Sequence, residues 1–127
     1  MKASFTRSVQ YVPTWNGNHQ LPKKEQFTAT LKPLNMADLL MLMDALQGLG
    51  VQNPDDLKNT NVEKFKGLME QAGTLIPKYI EVSNLEDESG PVTAETLVEF
   101  PYYLELAAEL LTQLASISLP DKDEEKN

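Results

Sequence analysis

The 127-residue chain has no cysteine, one histidine and one tryptophan. Without thiols there is no disulfide, no thiolate nucleophile and no zinc site built on cysteine. The lone His19 lies beside Asn18 and Gln20 without a neighbouring carboxylate, a poor start for a metal ligand set. The chain also lacks a Gly-rich phosphate loop, a Gly-x-Ser-x-Gly elbow and a His-Glu-x-x-His helix, the signatures of the commonest phosphoryl, acyl and metal-assisted chemistries. No apolar run approaches the ~18 residues of a membrane span, and the opening MKASFTRSVQ has no secretory apolar stretch. The expectation is a non-enzymatic cytoplasmic protein with no cofactor, no metal and no membrane contact.

Hydrophobic residues make up 41% of the chain, enough for one core at a length too short for two ordinary domains. A single domain over residues 1–119 is expected, with a hairpin in 1–33, helices in 34–119 and a disordered acidic tail in 120–127. Phe5 to Val12 reads as a strand. In QFTATLK, Gln26 to Lys32, the apolar Phe27, Ala29 and Leu31 alternate with polar neighbours, the period of a half-buried strand. Pro13, Asn16-Gly17-Asn18 and Pro22 between the two predict a long exposed loop carrying Trp15 and His19.

Three to four helices follow by pattern, so the fold class is α+β, mainly α. Asn35 is placed to cap a helix from Met36 to Leu49 closed by Gly48 and Gly50. Val51–Asn61 reads as loop, with one helical turn at Asp55–Lys58. A second helix spans Val62–Ile80, and Gly73 and Pro77 predict a break within 73–77. After an acidic turn at Glu86-Asp87-Glu88, Thr93 is a cap for a short helix Ala94–Phe100. Pro101 then imposes a bend before a last helix, Tyr102–Ile117.

The net charge of −8 opposes general binding to nucleic acid, but it is unevenly spread. Residues 1–66 hold eight Lys/Arg and six Asp/Glu, whereas residues 67–127 hold three and thirteen. Arg7, Lys23, Lys24 and Lys32 form a candidate basic patch on the hairpin, suited to phosphates or to an acidic protein surface. Glu105 and Glu109, four apart on the last helix, read as its solvated face together with Thr112, Gln113 and Ser116.

Two helices carry more apolar surface than one core-facing stripe requires. On the first, Met36, Leu39, Leu40, Met43 and Leu46 make one stripe, and Met41, Leu42, Ala45 and Leu49 another. On the last, Tyr102, Tyr103, Leu104, Leu106, Leu110, Leu111, Leu114 and Ile117 cover much of the circumference. Met41, Leu42, Leu49, Tyr103, Leu106 and Leu110 are therefore candidate protein-binding residues, with self-association or a bound partner as the expected cover.

In order along the chain, Tyr11-Val12-Pro13, the run QFTATLKPLNMADLL, Leu75-Ile76, Val82-Ser83-Asn84-Leu85, Gly90-Pro91-Val92-Thr93, Phe100-Pro101 and the ending from Ser116 to Asn127 resemble the tail assembly chaperones of long-tailed bacteriophages and prophages. The resemblance implies a protein of the bacterial host cytoplasm that binds the tape measure protein, keeps it soluble, helps recruit tail tube subunits and is absent from the finished virion. It further implies a second, longer form made by a ribosomal frameshift. Glu125-Lys126-Asn127 is compatible with the slippery codons this needs. A virion component, such as a head–tail joining or tail-completion protein, and a nucleic-acid-associated regulator using the basic hairpin are the alternatives.

Overall fold

The computed structural model describes residues 1–2, 7–49 and 62–119. The Phe5 strand start, Gly50, the predicted turn at Asp55–Lys58 and the tail from 120 lie outside the described residues. The alternation around Ala29 is realised in β2, Thr28–Leu31, whose Ala29 and Leu31 are fully buried, and the preceding Phe27 is buried with them. β1, Val9–Tyr11, pairs antiparallel with one edge of β2, Val9 opposite Leu31 and Tyr11 opposite Ala29. The other edge is filled by β3, Ile80–Ser83, also antiparallel, with Ile80 opposite Leu31 and Ser83 opposite Thr28.

The sheet is thus three-stranded, with β2 in the centre, and the expectation of a two-stranded hairpin confined to residues 1–33 is corrected. A hairpin alone would leave one edge of β2 with unpaired N–H and C=O groups next to the core. Ile80 satisfies helical spacing from Ile76, four residues earlier, and with Val82 it also alternates with Glu81 and Ser83. The sheet edge decides in favour of the strand.

Around the sheet, α1 (Met36–Leu49) opens with the Asn35 side chain accepting the Asp38 N–H at 2.8 Å, a cap of the expected kind. α2, Val62–Ala72, buries Phe65, Leu68 and Ala72 on one face. It ends at Gly73, where a β-carbon would sit 2.5 Å from the Met69 carbonyl oxygen, so a side chain there has no room. α3, Leu75–Tyr79, restarts the helix after this break. Pro77 consequently falls in a first turn, where its missing N–H has no helical partner to lose.

β4 (Glu86–Asp87) and β5 (Gly90–Pro91) form a small hairpin in the acidic turn. Gly90 adopts φ +117°, open to glycine and strained for other residues. α4, Ala94–Glu99, carries a reciprocal cap between Thr93 and Thr96. Phe100 is extended, Pro101–Tyr103 form a 3-10 turn, and α5 runs over Leu104–Ser118.

α5 touches all four other helices among the described residues. Leu106, Ala107, Ala108, Leu110, Leu111 and Leu114 have no exposed surface. The excess of apolar positions on this helix is explained by its central place, and the alanines let neighbouring elements approach closely. Its C-terminal turn is tied to the start of the helical part, since the Leu34 N–H donates to Ser118 Oγ at 2.8 Å.

Candidate protein-binding surface

The core claims most of the predicted contact residues. Leu42, Leu106 and Leu110 are fully buried and Tyr103 is nearly so, so these four are corrected from surface to core. Leu42 is on the α1 face that meets α2 and α5, and the other three are enclosed by the elements around α5. The side chain of Leu49 lies outside what the structure describes. Met41 stays at the surface.

The outward apolar face of α1 is carried by Met36, Leu40 and Met41, exposed to 69%, 58% and 38%. Met36 and Leu40 are four apart and meet along the helix, and Met41 flanks Leu40. Leu39, Leu42 and Ala45 occupy the core-facing side. The two stripes read from sequence therefore each split, because burial follows the actual direction of α2 and α5. The first turn of α1 is tied to α3 by Asp38, whose Oδ2 accepts from Lys78 Nζ at 2.9 Å and from Tyr79 Oη at 2.6 Å. These bonds, the Tyr79 hydroxyl foremost and then the Lys78 ammonium, hold the Asp38 carboxyl below its ordinary pKa. Lys78 is raised in return.

A second exposed apolar feature was not singled out from the sequence. Between the β4–β5 hairpin and the turn at residues 100–103 runs an open groove of about 840 Å³. Trp15, Tyr102 and Tyr103 form its aromatic side, with Trp15 5.7 Å from Tyr102 edge to face and Tyr102 5.0 Å from Tyr103. Trp15 also packs against Phe27 at 6.2 Å, so the loop expected to be exposed is anchored into the core. Its bend uses Asn16 and Gly17, both at positive φ. Buried Asn18 holds it from within, donating to the Pro13 and Phe27 carbonyls and accepting the Phe27 N–H.

Across the groove, Asp87 Oδ2 accepts the Tyr103 hydroxyl at 2.7 Å and Oδ1 accepts the Ser89 N–H at 2.8 Å. The Tyr103 bond first and the backbone bond second hold Asp87 below its ordinary pKa. Burial, reinforced by the Asp87 carboxylate, pushes Tyr103 up to about 12.

Glu109, expected on a solvated stripe, is buried. Its Oε2 accepts the Tyr11 hydroxyl at 2.5 Å and the Thr14 N–H at 2.7 Å, and burial together with this carboxylate raises the Tyr11 pKa. Thr112 is buried as well, its hydroxyl returned to the Ala108 carbonyl. Only Glu105 and Ser116 keep the fully exposed character predicted for that stripe.

Arg7, Lys23, Lys24 and Lys32 are all exposed but do not form one patch. Lys23 and Lys24 precede β2, while Lys32 follows it and Arg7 leads into β1 at that same end. About 13 Å of strand separates the two ends. Among the described residues no group of three His, Asp or Glu could hold a metal ion, and no helix is long and apolar enough to cross a membrane. No protein-family model, no curated protein and no solved structure matches this chain.

Proposed function

We propose that this protein is a phage or prophage tail assembly chaperone, non-enzymatic, which binds apolar helical segments of a tape measure protein and keeps them soluble until tail tube subunits are recruited. The observation that carries the reading is the outward strip Met36, Leu40 and Met41 on α1, exposed while the opposite face of the same helix is core. An apolar strip of this kind suits an amphipathic helix laid along it. Methionine at two of its three positions suits a surface that meets varied apolar side chains, because the unbranched thioether reshapes at little cost. The net charge of −8 keeps a complex of otherwise sticky segments dispersed.

The test is co-expression with the product of the long reading frame downstream of the gene, followed by pull-down and size-exclusion chromatography. A soluble complex is expected with the native chain. It is expected to weaken at least about tenfold in M36S/L40S/M41S, the equivalent of ~1.4 kcal/mol. A tape-measure-like product that gains neither solubility nor binding would overturn the reading, and recovery of the chain from purified virions would assign it to the particle instead.

A further inference from the structure

We infer that the groove between the β4–β5 hairpin and the turn at residues 100–103 is a second docking site, and that its occupant is a protein segment bearing lysine or arginine side chains among apolar ones. The site shares no residue with the α1 strip and does not rest on the tail-assembly reading.

Two properties set it apart from ordinary surface. Tyr102 is 69% exposed and Phe100 53%, yet the Tyr102 ring is held against both Trp15 and Tyr103. A large aromatic face is therefore presented to solvent in a fixed orientation, so little side-chain entropy remains to be lost on binding. The groove lining contains three carboxylates, Glu86, Asp87 and Glu88, and no Lys, Arg or His. Asp87 is committed to Tyr103 and Ser89. Glu86 and Glu88 make no ion pair among the described residues.

Together these features specify the occupant. An anionic rim repels phosphates and anionic lipid and attracts cations. An aromatic wall takes an apolar stem and, through its ring face, a cationic head. Lysine and arginine join both properties in one side chain. The groove, about 840 Å³ and open, accommodates a segment of several residues rather than one side chain. Apolar neighbours of the cation then rest on Phe100 and Trp15.

Trp15, the sole tryptophan of the chain, lines the groove and reports on it. The probe is a short amphipathic peptide of leucine and lysine, with a counterpart carrying glutamate at every lysine position. The lysine peptide is expected to shift Trp15 fluorescence saturably, less so at high salt, and the glutamate peptide to leave it unchanged. E86Q/E88Q and Tyr102→Ala are each expected to weaken binding by calorimetry about tenfold. The charge-matched control D44N/E63Q, on α1 and α2 and outside the groove lining, should stay within about twofold. All the substituted side chains are exposed, and circular dichroism verifies that the variants are folded. Absence of a Trp15 response, or equal affinity for native protein and E86Q/E88Q, would overturn the proposal. So would concentration-dependent self-association abolished by E86Q/E88Q without any peptide binding, which would make the occupant a second copy of this chain.

Discussion

Glu109 sits on α5 facing Tyr11 and the Thr14 N–H, ninety-eight and ninety-five positions earlier in the chain. Its carboxylate joins the loop after β1 to the central helix. A buried carboxylate costs several kcal/mol unless hydrogen bonds replace its water, and here two donors converge on one oxygen. Tyr11→Phe is expected to destabilise the fold by about 1.5–3 kcal/mol, the range for a hydrogen bond to a charged group. Glu109→Ala should cost more, since it strands both donors and opens a void. Urea denaturation of the two single variants and the double variant should give strongly non-additive losses. Additive, sub-kilocalorie effects would show that Glu109 is solvated after all, as its i, i+4 spacing from Glu105 suggests. That spacing locates a face of α5, but the residues covering the face come from the other end of the chain.

At the scale of elements, α1 poses the sharpest question. Its sequence offers apolar residues around much of the circumference, so periodicity marks the helix without marking its inner side. The contacts to α2 and α5 make Leu39, Leu42 and Ala45 the inner side. Leu42→Ser is expected to cost about 3–5 kcal/mol, from lost burial and a hydroxyl placed in the core, visible as loss of the cooperative thermal transition or a fall of many degrees in Tm. M36S/L40S/M41S should leave Tm within about 2 °C, as befits exposed positions. The reverse outcome would invert the orientation of α1. Elsewhere local signals sufficed: Asn35 and Thr93 cap α1 and α4, and Gly73 ends α2 inside the expected interval. The last helix begins at Leu104 rather than Tyr102, because Pro101 first nucleates a 3-10 turn.

For the whole molecule, two carboxylates act as ties between elements distant in sequence. Asp38 joins the start of α1 to α3, and Asp87 joins the β4–β5 hairpin to the approach of α5. Both native pKa values are depressed below the ordinary 3.8. The unfolded chain therefore binds more protons in the interval below that value. The stabilisation is fully present above it and is lost as pH falls through the native values. Tyr103 works in the opposite direction. Its native pKa of about 12 lies above the ordinary 10, so its contribution is complete below pH 10 and disappears as pH rises towards 12. Stability measured by urea denaturation is expected to decline at both extremes. D38N/D87N should flatten the acid limb, and Tyr103→Phe should remove part of the alkaline one, the rest belonging to Tyr11, whose pKa is also raised. Unchanged limbs would show that neither tie contributes.

The amino-acid order by itself determined the absence of thiol chemistry, the α+β class, the caps, the break after α2 and the strand around Ala29, since each depends on residues within a few positions of one another. Tertiary structure alone decided that Ile80–Ser83 pairs with β2, that Leu42, Tyr103, Leu106 and Leu110 are core, that Met36 and Leu40 are not, and that Trp15 meets Tyr102 in the aromatic wall of a groove. The physical reason is common to all of them. Backbone dihedral preference and capping are local free energies, whereas burial and strand pairing depend on which remote segment arrives to exclude water. A helix with two apolar stripes, or a residue that fits both periods, satisfies the local terms either way, and the packing makes the choice.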